Sequence, residues 1–140
     1  MRQIVLDTET TGLEPKQGQR IIEIGCVELV GRKLTGNNYH QYLQPDRESD
    51  PAALEVHGIT TDFLQDKPRF ADAIDGFLEY IRGAELIIHN AAFDIGSLDH
   101  ELALASKDYG NLATYCCVSN TLVMVSKMSP GRNAYLDVVV

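Results

Sequence analysis

Ile4-Val5-Leu6-Asp7-Thr8-Glu9-Thr10-Thr11-Gly12 is the stretch on which the reading of this chain turns. Ile4, Val5 and Leu6 form a short apolar run of the kind that makes a buried strand, and Gly12 is the first residue to punctuate it. Two acids follow the run at i and i+2, where a central strand ordinarily stays apolar. Residues two apart on a strand share one face and lie about 6.6 Å apart. The carboxylates of Asp7 and Glu9 can therefore converge on a small hard cation, which takes oxygen ligands at about 2.1 Å if it is Mg²⁺. Burying two like charges side by side without such a cation is costly. The plainer alternative is that the strand ends at Leu6 and both acids are solvated, and an isolated Asp-x-Glu does not separate the two.

Length and composition bound what the rest can be. A chain of 140 residues reads as one domain, 1–140, able to bury about two-thirds of its unfolded surface. Its 44% hydrophobic content is that of a globular protein. No apolar run approaches the ~20 residues of a membrane span, and the N-terminus lacks the apolar core of a signal peptide. Cys26, Cys116 and Cys117 are odd in number and lack metal-ligand spacing, so they read as reduced thiols of a cytoplasmic protein. The net charge of −8 excludes a broad phosphate-tracking surface, because affinity there comes from basic residues that release counterions. An acidic chain that acts on nucleic acid must grip it locally, through metal ions or a pocket, or be held there by a partner.

In order along the chain, Leu13 to Gln19 reads as a loop. Arg20 to Val30 is a long β-rich run, Gly31-Arg32 a turn, and Lys33 to Leu43 the returning strand, which with Ile4 to Asp7 makes a three-stranded antiparallel meander. Glu23 interrupts the second run and reads as its solvent face. Asp50-Pro51 starts a short helix, Ala52 to Val56, that His57-Gly58 ends, and Thr60-Thr61 starts a second short turn. Phe70, Ile74, Phe77, Leu78 and Ile81 share one face of an amphipathic helix that Gly83 closes. Glu85 to Ile88 is a short buried strand, and Ala92 to Ala105 a helix with Ile95, Leu98 and Leu102 inward. The strand-helix-strand order requires part of the sheet to be parallel. Leu112 to Val118 reads as a further strand, Thr121 to Met128 as a helix, and Ala134 to Val140 as the start of an apolar segment. The expected architecture is α/β, a mixed sheet with three antiparallel strands first and helices flanking it.

His89-Asn90-Ala91-Ala92-Phe93-Asp94 repeats the logic of the opening stretch: a buried strand ends, small residues permit close packing, and a carboxylate stands at the start of a helix. Alone, Asp94 is an ordinary first-turn acid opposing the helix dipole, and His89 an ordinary structural histidine. Together, three acids stand at the ends of strands that neighbour one another.

These two segments resemble the first two motifs of the DEDD exonucleases, and more narrowly the DnaQ-like family of epsilon-type proofreading subunits of bacterial replicative polymerases. The likeness runs the length of the chain, through Leu34-Thr35-Gly36-Asn37-Asn38, Asp50-Pro51, Val56-His57-Gly58-Ile59, Arg82-Gly83-Ala84-Glu85 and Lys127-Met128-Ser129-Pro130-Gly131. The resemblance implies an RNase H-like fold that removes nucleotides from a DNA 3′ end with two Mg²⁺ or Mn²⁺ ions. In it Asp7 would bridge both ions, Glu9 would ligate one, and Asp94 would act mainly on the second, through water. Thr8, Thr10 and Leu13 would line the terminal nucleotide, with His57, His89, Asn90 and Phe93 shaping the same pocket. It also implies a single-stranded DNA 3′ end as substrate, and a polymerase catalytic subunit and a small accessory subunit as partners. The chemistry agrees: phosphodiester hydrolysis needs an activated water and neutralised charge on attacking and leaving oxygens, and a pair of cations roughly 4 Å apart supplies both.

The family pattern has a third motif, a His followed five residues later by an Asp on a C-terminal helix. Here the histidine after Asp94 is His100, and the fifth residue beyond it is Ala105. Asn120 stands where relatives usually carry an Asp. The expectation is a C-terminally truncated exonuclease domain, marginally stable and poorly active by itself, with apolar surface around Leu136 to Val140. The competing expectation is a catalytically impaired copy serving as an interaction module in a replication complex. A weaker one keeps the nuclease and makes its substrate RNA.

Overall fold

The computed structural model describes residues 1–12 and 18–119. The helix expected over 121–128, the apolar segment 134–140, Asn120 and Leu13 lie outside the described residues. Strand β1 (Arg2–Thr10) carries the opening stretch to its end and does not stop at Leu6. β2 (Ile21–Val30) runs antiparallel to it, setting Val5 against Val27, Asp7 against Gly25 and Glu9 against Glu23. On its other edge β2 takes β3 (Lys33–Leu34) and then β4 (Tyr39–Tyr42), both antiparallel. β5 (Glu85–Ile87) lies parallel to β1, and β6 (Cys117–Val118) parallel to β5. The described strands thus form one mixed six-stranded sheet ordered β3-β2-β1-β5-β6, with β4 also on β2. The expected α/β mixed sheet, antiparallel strands first, is the fold observed.

Two strands differ from their expected extent. Lys33 to Leu43 is broken at 35–38, because that segment turns in to satisfy Glu28, which is only 6% exposed. The Thr35 hydroxyl donates to Glu28 Oε1 at 2.6 Å and the Asn37 amide to Oε2 at 3.3 Å, while Gly36 adopts φ +81° between them. A buried carboxylate without such donors would be expensive, so the ladder yields to it. Leu112 to Val118 is a strand only at its end: 112–114 is a 3₁₀ turn with Leu112 buried. The Leu112 N–H is drawn to Asp99 Oδ1 at 2.7 Å rather than to a neighbouring strand.

The helices follow their sequence signals. α1 (Pro51–His57) begins on proline, whose missing N–H costs nothing there, and ends on Gly58 at φ +67°. α2 (Thr61–Leu64) is capped by the Thr60 hydroxyl. α3 (Phe70–Ile81) buries Phe70, Ile74, Phe77, Leu78 and Ile81, the five residues of the expected stripe. α4 (Ala91–Ala105) buries Leu98 and Leu102, and with them Asp94, Ser97 and Glu101; Ile95 is half-buried against the core.

Strand alternation divides the sheet. Ile4, Leu6, Ile24, Cys26 and Leu86 join the α3 and α4 side chains in the main core. Asp7 and Glu9 share the opposite face with Val5. Phe77 is central to the core, 1% exposed with its ring 5.7 Å from that of Tyr39. Phe77→Ala is expected to cost about 3–5 kcal/mol, as buried aromatic truncations do, read as a lowered urea midpoint. A change under about 1 kcal/mol, the size of an ordinary surface substitution, would show that this helix is not the core element. All three cysteines are free, and no helix among the described residues is long and apolar enough to cross a membrane.

Candidate active site

The three acids approach one another where the C-terminal end of β1 meets the first turn of α4. Asp7 is exposed, and the Thr8 N–H donates to its Oδ1 at 3.0 Å. Gly25, directly across the ladder, adds no side chain over it. Glu9, half-buried, has a carboxyl raised above the usual range, first by burial and then by the charges of Asp7 and Glu23. Asp94 is only 3% exposed. Burial pushes its carboxyl up to about 7; the Thr8 hydroxyl, donating to Oδ1 at 2.8 Å, works against that shift, and Asp7 and Glu9 add to it.

Strand periodicity explains how one short segment serves both purposes. Asp7 and Glu9 point to one face, while Thr8 between them points to the other and reaches Asp94 on α4. The Thr8–Asp94 hydrogen bond therefore fixes the helix start against the strand that carries the other two acids. Glu23 faces the same side as Glu9 and is half-buried, bonded at 2.5 Å to His40 Nε2. It is thus a partnered residue at the site's edge rather than a freely solvated one.

A cavity of about 470 Å³ opens beside these acids, and Thr8, Glu9, Thr10, His57 and Phe93 line it. It therefore gathers five of the residues expected at the site, and Asp7 and Asp94 adjoin it through their interaction with Glu9. His89 and Asn90 lie elsewhere: both are exposed in the turn before α4, and neither lines the cavity. His57 is held in one tautomer. Its Nδ1 accepts from the Ile59 N–H at 2.9 Å, so in the neutral ring the proton sits on Nε2, which lies 3.5 Å from Ser49 Oγ.

The remaining lining residues, Gly12, Gln19, Asp50, Ala52, Ala53 and Val56, were not among the expected site residues. One signal for three of them was available. α1 is apolar at Ala52, Ala53 and Val56 yet too short to form a core-facing stripe; it buries no residue in the core, and those three line the cavity.

The donor set suits a hard divalent cation. All three groups are carboxylates, and Asp94 is a buried acid whose described partner is a neutral hydroxyl, with two further acids raising its proton affinity. A cation would remove that cost. Among the described residues, no three His, Cys, Asp or Glu side chains are placed to hold a metal ion together, so the carboxylates of Asp7, Glu9 and Asp94 would have to draw closer around one.

Comparison with known proteins points the same way. The family described as Exonuclease (RNase_T) matches residues 4–138. The DNA polymerase III subunit epsilon of Salmonella typhimurium is 56% identical over 140 residues, covering 97% of this chain and 58% of that protein. The protein of the same name from Escherichia coli K12 gives the same figures. The chain thus spans about 58% of the length of these curated relatives. Among solved structures, Exonuclease X in complex with 5′-overhanging duplex DNA superposes with a TM-score of 0.65 at 28% identity, over 96% of this chain and 69% of that one. An exonuclease I crystal structure gives 0.75 at 17% identity, over 91% and 30%, which supports the RNase H-like fold alone.

Proposed function

Because the chain belongs to the exonuclease family, we propose that it hydrolyses the terminal phosphodiester at a DNA 3′ end, as part of the proofreading subunit of a replicative polymerase. The observation that carries this reading is the set of three carboxylates, Asp7, Glu9 and Asp94, near enough for their charges to raise the proton affinity of Glu9 and Asp94, with Glu9 lining a cavity of about 470 Å³, within the range of small-ligand pockets. Asp7, Glu9 and Asp94 would hold two Mg²⁺ or Mn²⁺ ions. Bound there, the ions supply an activated water and neutralise charge on the attacking and leaving oxygens.

The residues of the chain do the binding and orienting. Thr8 holds the Asp94 carboxylate against the end of β1. Thr10 donates its hydroxyl to the Gly12 carbonyl at 2.5 Å, which shapes the cavity floor where the last nucleotide sits. His57 offers Nε2–H as a donor to a polar group of that nucleotide, and Phe93 a ring face for its base. Leu13 belongs to the same proposal. His89 and Asn90 would meet the strand outside the cavity, at the mouth beside α4. The negative surface of the chain fits this local mode of capture and a tethering partner. A polymerase catalytic subunit, a small accessory subunit and a cytoplasmic location complete the proposal, supported by likeness to the epsilon subunits.

That no three His, Cys, Asp or Glu side chains among the described residues are placed to hold a metal supports one second reading, an impaired copy that serves as an interaction module. Turnover separates the two. With Mn²⁺ and single-stranded DNA labelled at its 3′ end, this chain is expected to release labelled mononucleotide slowly, but as its first product. Asp7→Ala is expected to lower that rate by more than about 10²-fold, since even outer partners of metal ligands cost 10–100-fold. Release equal in the two proteins, or internal cuts before terminal ones, would contradict the exonuclease reading.

A further inference from the structure

We infer that Gln19 is a positioning residue that sets the spacing of the cavity walls around the terminal nucleotide, acting through Thr11 and Asp50. The inference rests on the exonuclease reading and says which part of that pocket governs nucleotide binding.

Two of the cavity's walls come from separate parts of the chain, and Gln19 lines the gap between them. One is the end of β1, with Thr8, Glu9 and Thr10; the other is α1, with Ala52, Ala53, Val56 and His57. α1 has no buried residue to anchor it in the core, so apolar packing does not fix its distance from β1. A polar relay does, buried at Thr11 and Gln19 and half-exposed at Asp50. Gln19 is 7% exposed and both ends of its amide are engaged. Oε1 accepts from the Thr11 hydroxyl at 2.6 Å, and Nε2 donates to Asp50 Oδ2 at 2.8 Å.

The two ends of the relay are themselves tied to the walls. Thr11, fully buried, follows β1 directly, and its hydroxyl also accepts from the Arg20 N–H at 2.9 Å. Asp50 immediately precedes α1. Its N–H donates to the Thr11 carbonyl at 2.7 Å, and its carbonyl receives the Leu54 N–H from the first turn of the helix at 2.9 Å. Gly12 closes the joint. A Cβ there would stand 2.4 Å from Gln19 Cδ and 2.6 Å from Asp50 Oδ2, so only glycine lets the relay pack this tightly. A side chain so placed changes how well a nucleotide is held, not how the phosphodiester is attacked, because it stands between the walls and carries no charge. Its loss widens the cavity and frees α1, which lowers affinity more than it lowers turnover.

The test uses this chain with Mn²⁺, thymidine 5′-monophosphate as binding probe, and single-stranded DNA as substrate. Gln19→Met keeps the length and removes both hydrogen bonds. It is expected to raise the probe's Kd and the DNA KM about tenfold, the size of effect that one or two buried hydrogen bonds command, with kcat reduced far less. Gln19→Glu keeps the Thr11 bond but sets a carboxylate against Asp50, and is expected to be at least as defective. Adding Asp50→Asn to Gln19→Glu reverses the polarity of that hydrogen bond and is expected to restore Kd and KM. A merely stabilising role would let melting temperature fall while Kd and KM stayed put, or would leave the reversal without rescue; either result overturns the inference. Failure of the wild type to cut DNA would instead overturn the exonuclease reading, and the probe's Kd would still judge Gln19. A wild type that does not bind the probe overturns the inference directly.

Discussion

Asp94→Asn is expected to make the metal-free protein more stable above neutral pH while removing most of its nuclease activity. The carboxyl is 3% exposed and pushed up to about 7, chiefly by burial. Its pKa in the unfolded chain is near the ordinary value of 3.8. A group whose folded pKa is raised favours folding fully below the unfolded value, and that contribution is lost as pH rises through the folded one. In EDTA the wild type should therefore lose stability between about pH 4 and pH 7 through this residue. The Asn variant, uncharged throughout, should not. Each pKa unit is worth about 1.4 kcal/mol, so at pH 8 the variant should be the more stable protein by a few kcal/mol, read from urea midpoints at pH 5 and pH 8. Asn also retains an oxygen to accept the Thr8 hydroxyl, so the fold at the start of α4 is preserved. Activity should move the other way, falling by more than about 10²-fold through loss of a ligand charge. Parallel pH profiles for the two proteins would show that burial of this carboxylate does not burden the fold.

Glu101→Ala should be among the most destabilising single changes outside the apolar core. Glu101 is 2% exposed on α4 and takes both Nε and Nη2 of Arg20, at 2.8 to 3.1 Å. Its Oε2 also receives the Ile21 N–H at 2.9 Å. The residue thus joins the inner face of α4 to Arg20 and the start of β2, just beyond Gln19. Removing one member of a buried pair leaves the other charge uncompensated and costs about 3–5 kcal/mol. Here the first N–H of β2 loses its acceptor as well. Replacing both members by apolar residues, Arg20→Met with Glu101→Leu, should recover much of that loss, because the uncompensated charge disappears. Urea unfolding of the two proteins decides it; a double variant as unstable as Glu101→Ala would show that the ion pair is needed for more than mutual compensation.

These residues also show what the sequence could and could not reveal. The stripe from Phe70 to Ile81 was legible because five large apolar side chains repeat at helical spacing, and the helix buries those five. The Asp7-x-Glu9 pair was legible because acids in a β-run need a reason. α4 was only half legible. Its inner face includes Asp94, Ser97 and Glu101 along with Leu98 and Leu102, and acids on a helix normally signal the wet side. Glu101 is buried because Arg20, eighty-one residues earlier, comes to meet it, and no local pattern announces a partner at that distance. The broken strand after Lys33 has the same origin: Glu28 draws in Thr35 and Asn37. Gln19 is similar, since a polar residue ending a loop gives no sign of standing between two walls of a cavity. Periodicity reports what faces an apolar core, and the polar joints that fix this site are formed between distant segments.

If Asp7, Glu9 and Asp94 form a divalent-cation site, Mn²⁺ binding to this chain reveals it without relying on turnover. Titrated with Mn²⁺ near pH 8 and followed by the loss of the free-ion magnetic resonance signal, the wild type should bind the ion and gain thermal stability as it does so. Asp7→Ala and Asp94→Asn should each weaken that binding by about tenfold or more. A wild type that leaves all the Mn²⁺ free, or variants that bind it as tightly as the wild type, would contradict the proposed site.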